Sequence, residues 1–200
     1  MTLVEILLFL AILSVVLSVA LPLLFEANEN RLLQQTIATV EQNGAQLLDN
    51  LALRVRQSQR IISPTQSDSG SVLALETGSG MADPIIVGVA TGALQVIRHA
   101  TRQVVSSQQV AVKNFLVRNT SVSSLRQSVY VRFTLSRIIR LQQPRTYTKT
   151  FETVLTLPPN DRPISSPCVC DIPACSGSNY TWSVCENGDC YAASTQMTCP

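Results

Sequence analysis

The sequence predicts an α+β protein: a long N-terminal amphipathic helix, its first half transmembrane, packed on an antiparallel β-sheet, with a disulfide-rich C-terminal tail. Three observations predict it. Ile6 to Phe25 is a run of 20 uncharged, mostly apolar residues, and at about 1.5 Å per residue it reaches roughly 30 Å, the thickness of a bilayer's hydrocarbon core. Beyond it, apolar residues first recur every third or fourth position and then, from Ser71, every second. Six cysteines crowd into residues 168–199. A chain of 200 residues suits one domain behind an anchor. The expected boundaries are 1–25 for the transmembrane half of the helix, 26–62 for its amphipathic half, 63–158 for the sheet domain and 159–200 for the tail.

Glu5 is the oddity of the N-terminal segment. A carboxylate at the mouth of an apolar span costs a few kcal/mol unless it is paired, so it reads as functional. No Lys or Arg precedes Arg31, which leaves an α-amino group, the chain's own or a neighbour's, as the nearest cation. A secretory signal peptide is expected to carry a basic flank and a shorter apolar core. A plain signal-anchor helix gives no reason for the acid.

Met1-Thr2-Leu3-Val4-Glu5 followed by this apolar run resembles the class III signal region of type IV pilins and pseudopilins, with Pro22 late in the run as in many pilins. The resemblance implies a short basic leader ending in Gly that a prepilin peptidase removes. Met1 is then the processed, methylated N-terminus, or the reading frame begins upstream of it. It also implies that Glu5 pairs with the N-terminal amine of an adjacent subunit. The family fold is a long helix laid on an antiparallel sheet. The partners implied are other pilin subunits, the cytoplasmic membrane (crossed once, with the C-terminal domain outside) and the assembly platform. The final location implied is a cell-surface or periplasmic filament.

Helical rhythm continues through Leu33, Ile37, Val40, Gly44, Leu47 or Leu48, Leu51 and Val55, one apolar stripe, with Glu26, Glu29, Glu41, Asp49, Arg54 and Arg56 mostly on other faces. Pro22 is expected to bend or loosen the helix, because it lacks an N–H and crowds the preceding turn. Gly44 either weakens it by about 1 kcal/mol or permits a close approach of the sheet. The helix is expected to reach residue 61 and to end at Pro64 and the Ser/Gly-rich stretch 63–71. The segment Leu47 to Arg60 is similar to the end of this helix in W-type minor pilins and J-type pseudopilins.

Strands are expected over 71–77, 84–89, 93–99, 109–118, 128–136 and 147–157. Ala90-Thr91-Gly92 is the hairpin turn between the second and third of these. One face of the sheet is expected under the helix stripe and the other open.

Pro158, Pro159 and Pro163 mark a break before Cys168, Cys170, Cys175, Cys185, Cys190 and Cys199. An even number of cysteines in a polar, Ser/Gly/Asn-rich tail reads as a disulfide framework in an oxidising compartment. Fifteen connectivities remain open. The spacings lack the paired Cys-x-x-Cys of a zinc site, so no metal is expected. Trp182, Tyr180 and Tyr191 form either the small core of this knot or an exposed contact surface.

Charge is distributed unevenly. Pro84 to Phe151 holds no Asp or Glu but ten basic residues: Arg98, Arg102, Lys113, Arg118, Arg126, Arg132, Arg137, Arg140, Arg145 and Lys149. Such a sheet attracts polyanions (DNA, surface polyanions such as teichoic acids, or an acidic neighbouring subunit) or serves solubility. An enzyme and a cofactor are not expected. His99 has no nucleophile motif beside it, and no phosphate loop is present. Asn119-Thr120-Ser121 and Asn179-Tyr180-Thr181 match a glycosylation acceptor. The reading that results is a structural filament subunit. A tip or accessory binding module and an unrelated single-pass anchored protein are the alternatives.

Overall fold

A computed structural model of the chain describes residues 3–77, 84–98, 101–139, 144–159, 174–176, 179–186 and 189–196. Two compact units divide it, Met1–Thr39 with Ile138–Tyr147 and Val40–Arg137 with Thr148–Pro200.

Helix α1, Leu3–Arg56, is 54 residues long and runs unbroken through Pro22. The hydroxyls within its apolar half are satisfied locally. Ser14 Oγ donates to the Ala11 carbonyl at 2.8 Å and Ser18 Oγ to the Val15 carbonyl at 2.7 Å, so neither is left bare on an apolar surface. Arg54 and Arg56 occupy the last turn, where cations complement the helix dipole.

The helix stops at Arg56, short of the expected residue 61. Ser58 Oγ donates to the Arg54 carbonyl at 2.7 Å and the Ser58 N–H to the Val55 carbonyl, so the final carbonyls are used up in a tight closing turn. The β-branched pair Ile61-Ile62 then enters β1 (Arg60–Ser63) and pairs antiparallel with β3 (Val72–Glu76). A two-residue strand, β2 (Ser69–Gly70), lies inside the expected loop.

Sheet pairing departs from a single layer. A five-stranded antiparallel sheet has the order β1-β3-β4-β5-β6, with β4 Ile85–Ala90, β5 Ala93–Arg98 and β6 Thr101–Val104. The β4–β5 turn is Thr91 at φ 52° and Gly92 at φ 74°, two successive left-handed residues, as a tight hairpin requires. A four-stranded sheet has the order β2-β7-β8-β9, with β7 Ala111–Asn119, β8 Ser128–Ile139 and β9 Arg145–Thr156. The third sheet is built from the tail: β10 Ala174–Ser176, β11 Asn179–Glu186 and β12 Asp189–Gln196. Strand β6 and the tail sheet lie outside the expected strands: Thr101–Val104 is polar, and the alternation of Tyr180, Trp182 and Val184 with Thr181 and Ser183 sits among the cysteines and turn residues of the tail.

Within the second unit, the helix stripe is buried at Val40, Leu47, Leu51 and Val55. Leu33, expected on the same stripe, is 36% exposed. Gly44 permits the close approach. A Cβ at this position would fall within the Phe151 ring itself. Phe151 in turn stacks on the fully buried Phe133, ring centroids 5.6 Å apart. Helix, β9 and β8 therefore meet in one aromatic layer that only glycine admits.

Both faces of β3 and β4 are buried along their whole length, against the expectation of one open face. Tyr180 and Trp182 of β11 cover the second face, packing with Val72, Ala74, Ile86, Ile97 and Ile62. These two aromatics neither fill a separate core in the tail nor form an exposed surface. They fasten the tail to the sheet.

Candidate functional site

Three groups of residues carry the functional expectations. The first is the N-terminal half of α1. Glu5 lies in the first helical turn and is exposed, a position in which the helix dipole favours a negative charge. Above it Ile6, Leu7, Leu8, Phe9, Leu10 and their successors to Phe25 stand exposed, nearly all by about half or more. The helix is long and apolar enough to cross a membrane, and none of its most apolar window is buried within the protein. A soluble surface does not carry so large an apolar area without a partner or a bilayer against it. Met1 lies outside the described residues.

The second group is where the C-terminal half of α1 grips the sheet. Lys149 Nζ donates to Glu41 Oε1 and stands 5.7 Å from the centre of the Phe151 ring. Lys149, expected among free cations for a polyanion, is committed to the helix and is half-buried, with 40% of its side chain exposed.

The third group is the basic set, which the structure splits between two sheets. Arg98 and Arg102 sit on β5 and β6 of the five-stranded sheet, both exposed. At that end Arg54 is held below its ordinary pKa by burial, and second by the positive charge of Arg98. Arg60, on β1 at the other edge of that sheet, is neutralised by Glu76, Nη2 to Oε2 at 2.8 Å. Lys113, Arg118, Arg132, Arg137, Arg145 and Lys149 belong to the four-stranded sheet, and Arg126 to the loop between β7 and β8. Arg140 lies outside the described residues, as does His99.

Alternation on this sheet separates the faces. Val112, Phe115, Val117, Val129, Val131, Phe133 and Leu135 are buried on the inner side. Lys113, Arg118 and Arg132 are exposed on the outer side, where the register sets Arg118 opposite Tyr130, Leu116 opposite Arg132 and Lys113 opposite Thr134. Glu152, one residue beyond the acid-free run, joins this outer face: the Tyr130 hydroxyl donates to Glu152 Oε2 at 2.7 Å. That hydrogen bond, ahead of desolvation and the carboxylate's charge, raises the Tyr130 pKa, and Arg132 pulls it the other way. Glu152 lies just past the acid-free run 84–151 and was not among the expected residues of this face. Its shared parity with Thr148 and Thr150 was the signal that placed it on this face.

Two other expectations meet the structure directly. Asn119 is buried, and its Nδ2 donates to the Pro64 carbonyl at 2.9 Å while its Oδ1 accepts from the Ser121 N–H at 3.0 Å. An amide so enclosed is no acceptor for a glycan. In the tail, the side chains of Cys168, Cys170, Cys175, Cys185, Cys190 and Cys199 lie outside the described residues. The backbone pairs Cys185 with Cys190 across β11 and β12. Among the described residues, no three His, Cys, Asp or Glu side chains come together as a metal site.

No protein-family model, curated protein or solved structure matches this chain.

Proposed function

We propose that the chain is a structural subunit of a type IV pilus or a related secretion or competence filament, a minor pilin or pseudopilin. Residues 1–25 anchor it in the cytoplasmic membrane with the sheets outside. On assembly the same helix leaves lipid and packs against its copies along the filament axis. Glu5 pairs there with the N-terminal amine of a neighbour and sets the register.

The observation that supports this reading is a lone carboxylate in the first turn of an apolar helical surface that nothing else among the described residues covers. Exposed apolar length accounts for an anchor. It does not account for the acid, whose burial between helices is costly alone and favourable only with a cation beside it. The N-terminal amine of a neighbouring subunit, free before assembly and enclosed after it, supplies that cation.

The test is Glu5→Val in the full chain, expressed in cells that make the filament. Membrane fractions should hold the variant at the parent's level, while sheared filaments should lack it. Parent-like incorporation of the variant would sink the pairing role. A parent chain absent from every sheared fraction would leave the single-pass anchored protein as the reading.

A further inference from the structure

We propose that the outer face of the four-stranded sheet binds the phosphodiester backbone of duplex nucleic acid through Lys113, Arg118 and Arg132. All three are exposed on the side opposite the apolar core. Lys113 and Arg118 make no ion pair among the described residues. The register makes Arg118 and Arg132 diagonal neighbours across β7 and β8, with Lys113 continuing the line beyond the irregularity between Lys113 and Leu116. A diagonal step on one face of such a pair is about 7–8 Å, comparable with the separation of successive phosphates along a nucleic-acid strand. Carboxylated sugar polymers space their charges by whole rings and match this line less well.

The rest of the face fits a backbone ligand rather than bases. Tyr130 is its one aromatic side chain among the described residues, and its hydroxyl is given to Glu152. Binding of unstacked bases needs several free aromatic surfaces. Thr134 and Thr150 share a 3.0 Å hydrogen bond beside the cations, and hydroxyls of this kind are ordinary phosphate contacts. Arg126 extends the positive rim into the β7–β8 loop. Glu152 is the acid that opposes the ligand, so its charge limits affinity.

Binding is independent of the filament reading and is measured on the full chain in non-ionic detergent micelles. Fluorescence anisotropy of a labelled mixed-sequence duplex, titrated across a salt series, should give a log–log slope of about −3, one unit per neutralised phosphate. Replacing Lys113, Arg118 and Arg132 together by Gln should weaken binding by about tenfold or more at low salt, with an unchanged thermal unfolding midpoint. Glu152→Gln should tighten it severalfold, a gain that misfolding cannot mimic. Arg98→Gln with Arg102→Gln, on the other sheet, should leave it unaltered. No anisotropy change at low salt, parent-like binding by the triple variant, or equal binding of polyglutamate would each overturn the proposal.

Discussion

The central strands of the five-stranded sheet are buried on both faces, whereas those of the four-stranded sheet are buried on one. In the five-stranded sheet, β3 and β4 are enclosed on both sides, with Tyr180 and Trp182 of the tail closing the second. In the four-stranded sheet, β8 and β9 alternate, with Phe133 and Phe151 inward and Arg132 and Glu152 outward. A strand buried on both faces reads as a continuous apolar run, and one buried on a single face reads as alternation. The difference teaches that Val72–Glu76 and Ile85–Ala90 were already announcing a second cover. The cover comes from a segment more than 90 residues away, too polar on average to look like one.

The largest effects should distinguish the two enclosures. Phe133→Ala removes the ring on which Phe151 stacks and should cost about 3–5 kcal/mol, read as a lower thermal midpoint for the whole second unit. Trp182→Ala should cost nearer the lower end of that range. It should also raise hydrogen exchange in β11 and along β3 and β4 while β7 and β8 stay protected. Equal exchange in both sheets would erase the contrast.

Next in size is an alkaline limit set by the tail's buried phenol. Burial raises the Tyr180 phenol to about 12. The Ser63 side chain pulls the other way, but no well-formed hydrogen bond reaches the Tyr180 hydroxyl among the described residues. The folded state thus holds the phenolic proton more tightly than the unfolded chain, whose tyrosine titrates near 10. The stabilisation is complete below pH about 10 and is lost as pH climbs towards 12, on the order of 2–3 kcal/mol in all. Tyr180→Phe should flatten this part of the stability profile. A profile identical to the parent's would refute the assignment.

The smallest effect tests the helix contact. Gly44→Ala gains about 1 kcal/mol in helix propensity, but its methyl meets the Phe151 ring, which Phe133 behind it keeps from retreating. Overpacking of this kind costs about 1–3 kcal/mol, so a net loss of about 1 kcal/mol is expected in denaturant unfolding. Gly44→Ala combined with Phe151→Ala should recover the propensity gain, since the obstructing ring is then gone.

Much of the fold was legible for local reasons. The apolar run, the spacing of Val40, Leu47, Leu51 and Val55, and the alternation of β8 each record one element meeting one environment. The Ala90-Thr91-Gly92 turn is a backbone requirement written in a residue that accepts positive φ. What escaped was set by distant partners. The Gln59 N–H went to the Glu76 carbonyl of β3 instead of extending the helix. Ile61 exchanged a helical place for pairing with Leu75. Glu152 joined the basic face, and Lys149 left it for Glu41.

For the candidate sites the division is the same. Glu5 and the apolar length behind it are properties of composition and rise per residue, so the sequence by itself determined that an acid stands at the mouth of a possible span. It determined also that 84–151 carries ten cations and no acid. Only the tertiary structure decided which of those cations share a surface, because strand register and sheet order assign Lys113, Arg118 and Arg132 to one face and Arg98 and Arg102 to another sheet. It alone decided that Tyr180 and Trp182 close the core. Pairing energy and burial depend on which segments meet, and that meeting is chosen by the whole chain's packing rather than by any stretch of it.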